Sequence, residues 1–125
     1  MILGTGIDIT EIDRVANSIA RFGDRFLHRI FTAGEIAYCS RKKNAAESYA
    51  ARFAAKEAGA KALGTGIQHG VSWKELEVRR APGQRPTLHL TGRAEQIARH
   101  MGVQHIHLSL THSANLAMAA VHLES

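Results

Sequence analysis

The stretch from Asn44 to Gly64 constrains the fold more than any other part of the chain. Ala, Glu, Lys, Arg and Leu dominate Ala45 to Leu63, and these are the strong helix formers. Asn44 followed three residues later by Glu47 is a capping-box signal. Gly64 is a natural C-terminal stop. The polar run Arg41-Lys42-Lys43-Asn44 separates this segment from what precedes it. One long helix over 45–63 is therefore expected, and in a chain of 125 residues it must form the centre of a single domain spanning 1–125.

The flanking patterns are mixed. Ile7 and Ile9 alternate with Asp8, which predicts a short strand with Asp8 on the opposite face. Thr10 and Asp13 predict a helix start, Ile12, Val15, Ile19 and Phe22 its apolar stripe, and Gly23 its end. One or two short helices fit 24–43. Alternation from Trp73 to Arg80 predicts a strand, Pro82 to Pro86 a turn, and Thr87 to Leu90 the hairpin partner. Thr91 should cap a helix to about Met101, closed by Gly102. Val103–Thr111 and Leu116–Leu123 read as two strands around His112-Ser113-Ala114-Asn115. Strands and helices do not alternate strictly, so the fold class is α+β with an antiparallel sheet.

Composition narrows the function classes. Cys39 is the one cysteine; it cannot form an internal disulfide, and it reads as a buried structural thiol. The N-terminus lacks a basic and apolar leader, and no apolar run is long enough to span a bilayer. A cytoplasmic protein with no membrane partner is expected. The net charge of +5 favours an anionic partner.

Gly4-Thr5-Gly6 lacks the third glycine of a dinucleotide fingerprint, and no Walker A sequence exists. The pair reads as a turn or a close backbone approach. Phe53, Glu57 and Lys61 are spaced by four and share one helix face. A solvated Glu–Lys pair beside a core aromatic is the ordinary explanation. The small alanines around them and the aromatic on the same face point instead to a partly buried face that a ligand can approach. Asp8 and Glu57 together would make a hard oxygen site suited to Mg²⁺. Arg14, Arg21, Arg25 and Arg29 cluster beside Phe22 and Phe26, and Arg14 and Arg21 stand two turns apart near one face. His105 and His107 would share a strand face, but without a well-spaced third ligand they read as ordinary polar residues, as do His69, His89, His100 and His122.

Three ordered motifs carry a resemblance to a known family. Gly6-Ile7-Asp8-Ile9 with Glu11 and Arg14 resembles the first signature of the holo-acyl-carrier-protein synthases, which are 4′-phosphopantetheinyl transferases. Arg52-Phe53-Ala54-Ala55-Lys56-Glu57-Ala58 with Lys61 and Gly64-Thr65-Gly66-Ile67 resembles the second. Ser109-Leu110-Thr111-His112-Ser113 resembles the third. The resemblance covers essentially the whole chain.

It implies the transferase's α+β fold in a homotrimer with sites at subunit interfaces. It implies that Asp8 and Glu57 bind Mg²⁺ with the coenzyme A pyrophosphate, and that Asp8, Glu57 and Lys61 carry the chemistry. Coenzyme A contacts would come from Arg52, Lys61, Arg85, Pro86 and His112. The family often has Gly-Lys-Pro where this chain has Gln84-Arg85-Pro86, so the positive charge is kept and the glycine is not. Arg14, Arg21, Arg25, Phe26 and Arg29 would dock an acidic acyl carrier protein. Transfer of phosphopantetheine to a carrier serine, releasing 3′,5′-ADP, would serve fatty acid biosynthesis. The rival reading is a non-catalytic basic module for nucleic acid or an acidic protein. Low aromatic content (6%) and the lack of an RRM, KH or helix-turn-helix signature weigh against its nucleic-acid form.

Overall fold

The computed structural model describes residues 1–125. Strand β1 (Ile2–Glu11) leads into α1 (Ile12–Phe22), α2 (Asp24–Ile30), α3 (Ala33–Ser40) and the long α4 (Ala45–Leu63). A 3₁₀ turn (Trp73–Glu75), β2 (Leu76–Arg79), β3 (Thr87–Leu90), α5 (Gly92–Met101), β4 (His105–Ser113) and β5 (Leu116–Glu124) follow. The strands form two antiparallel sheets, one ordered β1-β5-β4 and the other a β2-β3 hairpin, where the sequence suggested one sheet. No helix is long and apolar enough to cross a membrane.

The long helix forms where its residues require. Asn44 accepts a hydrogen bond from the Glu47 backbone N–H at 3.2 Å, and Gly64 takes the left-handed conformation (φ 83°) that suits glycine. Helix α4 packs across the three-stranded sheet, and its alanines 54, 55, 58 and 62 join Val121 and Leu123 in the larger core cluster. Gly4 and Gly6 are what let β1 lie there. A Cβ on Gly6 would strike the Ala58 carbonyl oxygen, and one on Gly4 the Ala62 carbonyl oxygen. Of the two readings of this glycine pair, close backbone approach is the one realised.

Four local expectations are revised. Thr10 does not cap α1: it lies in β1, and Asn115 does the capping, accepting from Ile12 N–H through its carbonyl oxygen (2.8 Å) and from Asp13 N–H through Oδ1 (3.0 Å). Trp73–Glu75 form a 3₁₀ turn instead of the start of a strand. Thr91 holds the N-cap position of α5, but its side chain makes no capping bond. Glu75 Oε2 accepts from Arg93 N–H at 2.7 Å in its place. Phe22, assigned to the apolar stripe of α1, is half exposed, with the Arg21 guanidinium 5.2 Å from its ring centre.

The second face of the three-stranded sheet is open. Alternation in β1 sends Asp8 and Thr10 toward α4 and leaves Ile7 and Ile9 more than half exposed. Ile7 is paired with Ala120, and Ile9 with Met118. His105 and His107 are also exposed, and His107 Nε2 lies 2.9 Å from Glu124 Oε1. The β1–β5 pairing continues to a bond from Ser125 N–H to the Met1 carbonyl oxygen (3.0 Å).

Candidate active site

Two carboxylates meet where β1 crosses α4. Asp8 and Glu57 line one cleft of about 550 Å³ with Thr10, Arg14, Phe26 and Phe53. The spacing of Phe53, Glu57 and Lys61 does place them on one face. Phe53 stacks on Trp73 with ring centres 4.9 Å apart, forming an apolar wall beside Glu57. Lys61 Nζ donates to Asp8 Oδ1 and to the Ile7 carbonyl oxygen, each at 3.1 Å. The other carboxylate oxygen, Asp8 Oδ2, accepts from Thr10 Oγ1 at 3.1 Å.

Electrostatics in this cleft are unbalanced. Burial pushes the Glu57 carboxyl above its ordinary value, the Asp8 charge pushes it further, and Lys61 partly opposes both. A divalent cation between the two carboxylates would relieve that strain. No three His, Cys, Asp or Glu side chains of the chain converge as ligands. Two hard oxygen donors with room beside them fit Mg²⁺, which commonly takes one or two carboxylates and completes its shell with water and substrate phosphate.

The other residues singled out by sequence are dispersed. Arg14 and Phe26 line the carboxylate cleft, and Phe26 packs edge-on to Phe31. Arg21, Arg25 and Arg29 are exposed on α1 and α2 outside it. Arg52 is 5% exposed, its guanidinium 4.3 Å from the Tyr38 ring centre and its Nε without a partner. Arg85 is exposed and Pro86 half-buried. His112 Nε2 lies 3.4 Å from Glu47 Oε1 at the start of α4.

A second cleft, also about 550 Å³, was not anticipated. Tyr38, Arg41, Lys42, Arg80, Pro82 and Gly83 line it. Its basic lining is assembled from α3, the polar break and the β2–β3 turn, segments far apart in sequence. Burial alone would raise the Tyr38 phenol, but the nearby Arg52 and Lys42 cations outweigh it and hold it below its usual value. An anion placed here would meet three cations. The run Arg41-Lys42-Lys43 was the one visible signal, and it reads as an ordinary solvated break.

A buried ion pair went unnoticed as well. Lys56, fully buried, donates to the carbonyl oxygens of Leu76 (2.6 Å) and Trp73 (3.1 Å) and pairs with Glu35 at 2.7 Å. Glu35 in turn accepts from Val78 N–H at 2.8 Å and Thr32 N–H at 2.9 Å. This network ties α3, α4 and the hairpin together behind the Phe53–Trp73 wall.

Paired carboxylates where β1 crosses α4, together with a separate cleft lined by three cations, suit a divalent cation and an anionic substrate. A family model for the 4′-phosphopantetheinyl transferase superfamily matches residues 4–121, and the chain belongs to that family. Among its relatives, the holo-[acyl-carrier-protein] synthase of Koribacter versatilis is 57% identical over 99% of both chains. That of Solibacter usitatus is 56% identical over the full length of both. The crystal structure of the Neisseria meningitidis holo-[acyl-carrier-protein] synthase superposes with a TM-score of 0.89 at 32% identity, covering all of both chains. The Helicobacter pylori enzyme, solved in complex with coenzyme A, gives 0.84 at 32% identity over 96% of this chain and 99% of that one.

Proposed function

We propose that the chain is a holo-[acyl-carrier-protein] synthase, moving 4′-phosphopantetheine from coenzyme A to a serine of an apo acyl carrier protein, the carrier of fatty acid biosynthesis. The observation that carries this reading is the Asp8–Glu57 cleft with Lys61 at its rim. The relatives' names and the coenzyme A complex of the Helicobacter pylori enzyme support it.

The chemistry is nucleophilic displacement at phosphorus. The serine oxygen bonds to the phosphoryl group bearing pantetheine, the serine proton leaves, and the bond to 3′,5′-ADP breaks. Both partners are anionic, so positioning and charge neutralisation do most of the work. Asp8 and Glu57 are the residues that would hold Mg²⁺, whose charge would neutralise the pyrophosphate. Glu57 takes the serine proton, directly or through a water. Lys61 leaves Asp8 to stabilise the departing phosphate.

The anionic end of coenzyme A is assigned to the basic side of the molecule. Arg41, Lys42 and Arg80 offer charge, the buried Arg52 backs Tyr38, and Arg85, Pro86 and His112 complete the set. Arg14, Arg21, Arg25, Phe26 and Arg29 receive the acidic carrier. Self-association covers Ile7, Ile9 and Leu116 on the open sheet, as a homotrimer that brings His112 to a neighbouring site. A cytoplasmic location fits a substrate pair made inside the cell.

The decisive assay incubates the protein with coenzyme A, Mg²⁺ and an apo acyl carrier protein, and weighs the carrier by mass spectrometry. A gain of one phosphopantetheine is expected, and it should be lost without Mg²⁺ and in Asp8→Ala or Glu57→Ala. No gain with several folded carriers would overturn the reading.

A further inference from the structure

We infer that Thr10 is a positioning residue for the cation site, fixing the Asp8 carboxylate from its buried side while Lys61 is free to change partners. The inference rests on the assignment of Asp8 as a cation ligand. Thr10 follows Asp8 by two residues in β1, so both side chains leave the same face of the strand, toward α4. Thr10 is 8% exposed. Its hydroxyl is not used as a helix cap, because Asn115 already satisfies the first N–H groups of α1. The hydroxyl has one proton to donate, and it gives that proton to Asp8 Oδ2.

The two oxygens of Asp8 are thus held differently. On Oδ1 sits Lys61, whose side chain is about half exposed (51%) while that of Asp8 is 17% exposed. A long, solvated lysine is a replaceable partner, and an incoming phosphate competes for it. On Oδ2 sits a short, β-branched, buried residue with little rotamer freedom. When Lys61 turns to substrate, the Thr10 bond alone keeps the carboxylate plane set for the cation. Each oxygen of a carboxylate has two lone pairs, so Oδ2 can accept from Thr10 and still face a cation. Hydrogen-bonding partners of ligating carboxylates commonly alter metal affinity by about 10–100-fold when removed.

Calorimetric titration of Mg²⁺ into protein saturated with coenzyme A tests this. Thr10→Val keeps the shape and removes the hydroxyl; Thr10→Ser keeps the hydroxyl. Thr10→Val should bind Mg²⁺ about tenfold or more weakly, with Thr10→Ser restored to near the parent's affinity. Turnover of Thr10→Val should recover as Mg²⁺ is raised, because the cation requirement moves and the chemistry does not. Thermal unfolding verifies that the variants fold, and Thr10→Ala replaces Thr10→Val if that one does not. Parent-like Mg²⁺ affinity in Thr10→Val overturns the inference. Equal weakening in Thr10→Val and Thr10→Ser also overturns it, since packing and not the hydroxyl would then matter. Parent-like affinity in Asp8→Asn overturns the ligand assignment itself, and the role of Thr10 with it.

Discussion

Lys56 Nζ lies 2.7 Å from Glu35 Oε1, and neither side chain has any exposed surface. An ammonium with three donors is met by three acceptors: Glu35 and the carbonyls of Trp73 and Leu76. Removing one partner leaves the other charge buried and unpaired. Lys56→Met should therefore cost about 3–5 kcal/mol, read as a fall in the denaturant midpoint. The Phe53–Trp73 wall should loosen with it, so the residual activity of the folded fraction should drop too.

Glu57 is destabilising in the cation-free protein. Its folded pKa lies above the ordinary 4.5, so the folded state resists its ionisation. For a carboxyl shifted this way the penalty is absent below the ordinary pKa. It grows as pH rises and is complete above the raised folded value. Glu57→Gln should accordingly melt at a higher temperature than the parent near pH 7 with chelator present, and at the same temperature at pH values well below 4.5. The same variant should lose turnover, a separation of stability from function.

Lys61→Ala should slow turnover by a factor of about ten or more while leaving the fold intact, because the lysine is half exposed and its ion pair with Asp8 is open to solvent on that side, so it contributes little to stability. Single-turnover transfer at saturating coenzyme A measures the chemical step directly. Turnover close to that of the parent would remove Lys61 from the mechanism.

Carrier docking should weaken steeply with salt. The Debye length falls from about 10 Å at 0.1 M to about 3 Å at 1 M, and Arg14, Arg21, Arg25 and Arg29 are all exposed. The KM for the carrier should rise with ionic strength more than that for coenzyme A. Arg14→Glu and Arg21→Glu should each flatten the dependence.

Cys39 should resist alkylation. It is fully buried, and burial pushes its thiol up to about 11, so little thiolate exists near neutrality. Iodoacetamide at pH 8 should label it only in denaturant. Fast native labelling would show that α3 opens readily.

Much of this was legible because it is local. The bounds of α4 follow from Asn44, the run of helix formers and Gly64. Asp8 and the Phe53–Glu57–Lys61 face follow from periods of two and of four. Thr10 misled because a hydroxyl ahead of an acidic residue looks the same whether it serves a backbone N–H or a neighbouring carboxylate. The competitor that won was Asn115, 102 positions from Asp13, which no local pattern reveals. Lys56 and Glu35 each sit in helical segments as ordinary charged residues, and only packing turns them into a buried pair. The basic cleft under Tyr38 draws on three separate segments for the same reason.

The pairing of β1 with β5 sets a timetable for the chain's birth. Asp8 stands in a segment that leaves the ribosome early, but its register partner across the sheet, Ala119, emerges after every helix has been made. Contacts of such long sequence separation slow folding. Until β5 emerges, β1 has an unpaired edge, and such edges invite pairing with other chains. The Asp8 carboxylate thus acquires its fixed place only when synthesis is nearly over, and a nascent chain stalled before residue 116 should carry no phosphopantetheinyl transfer activity.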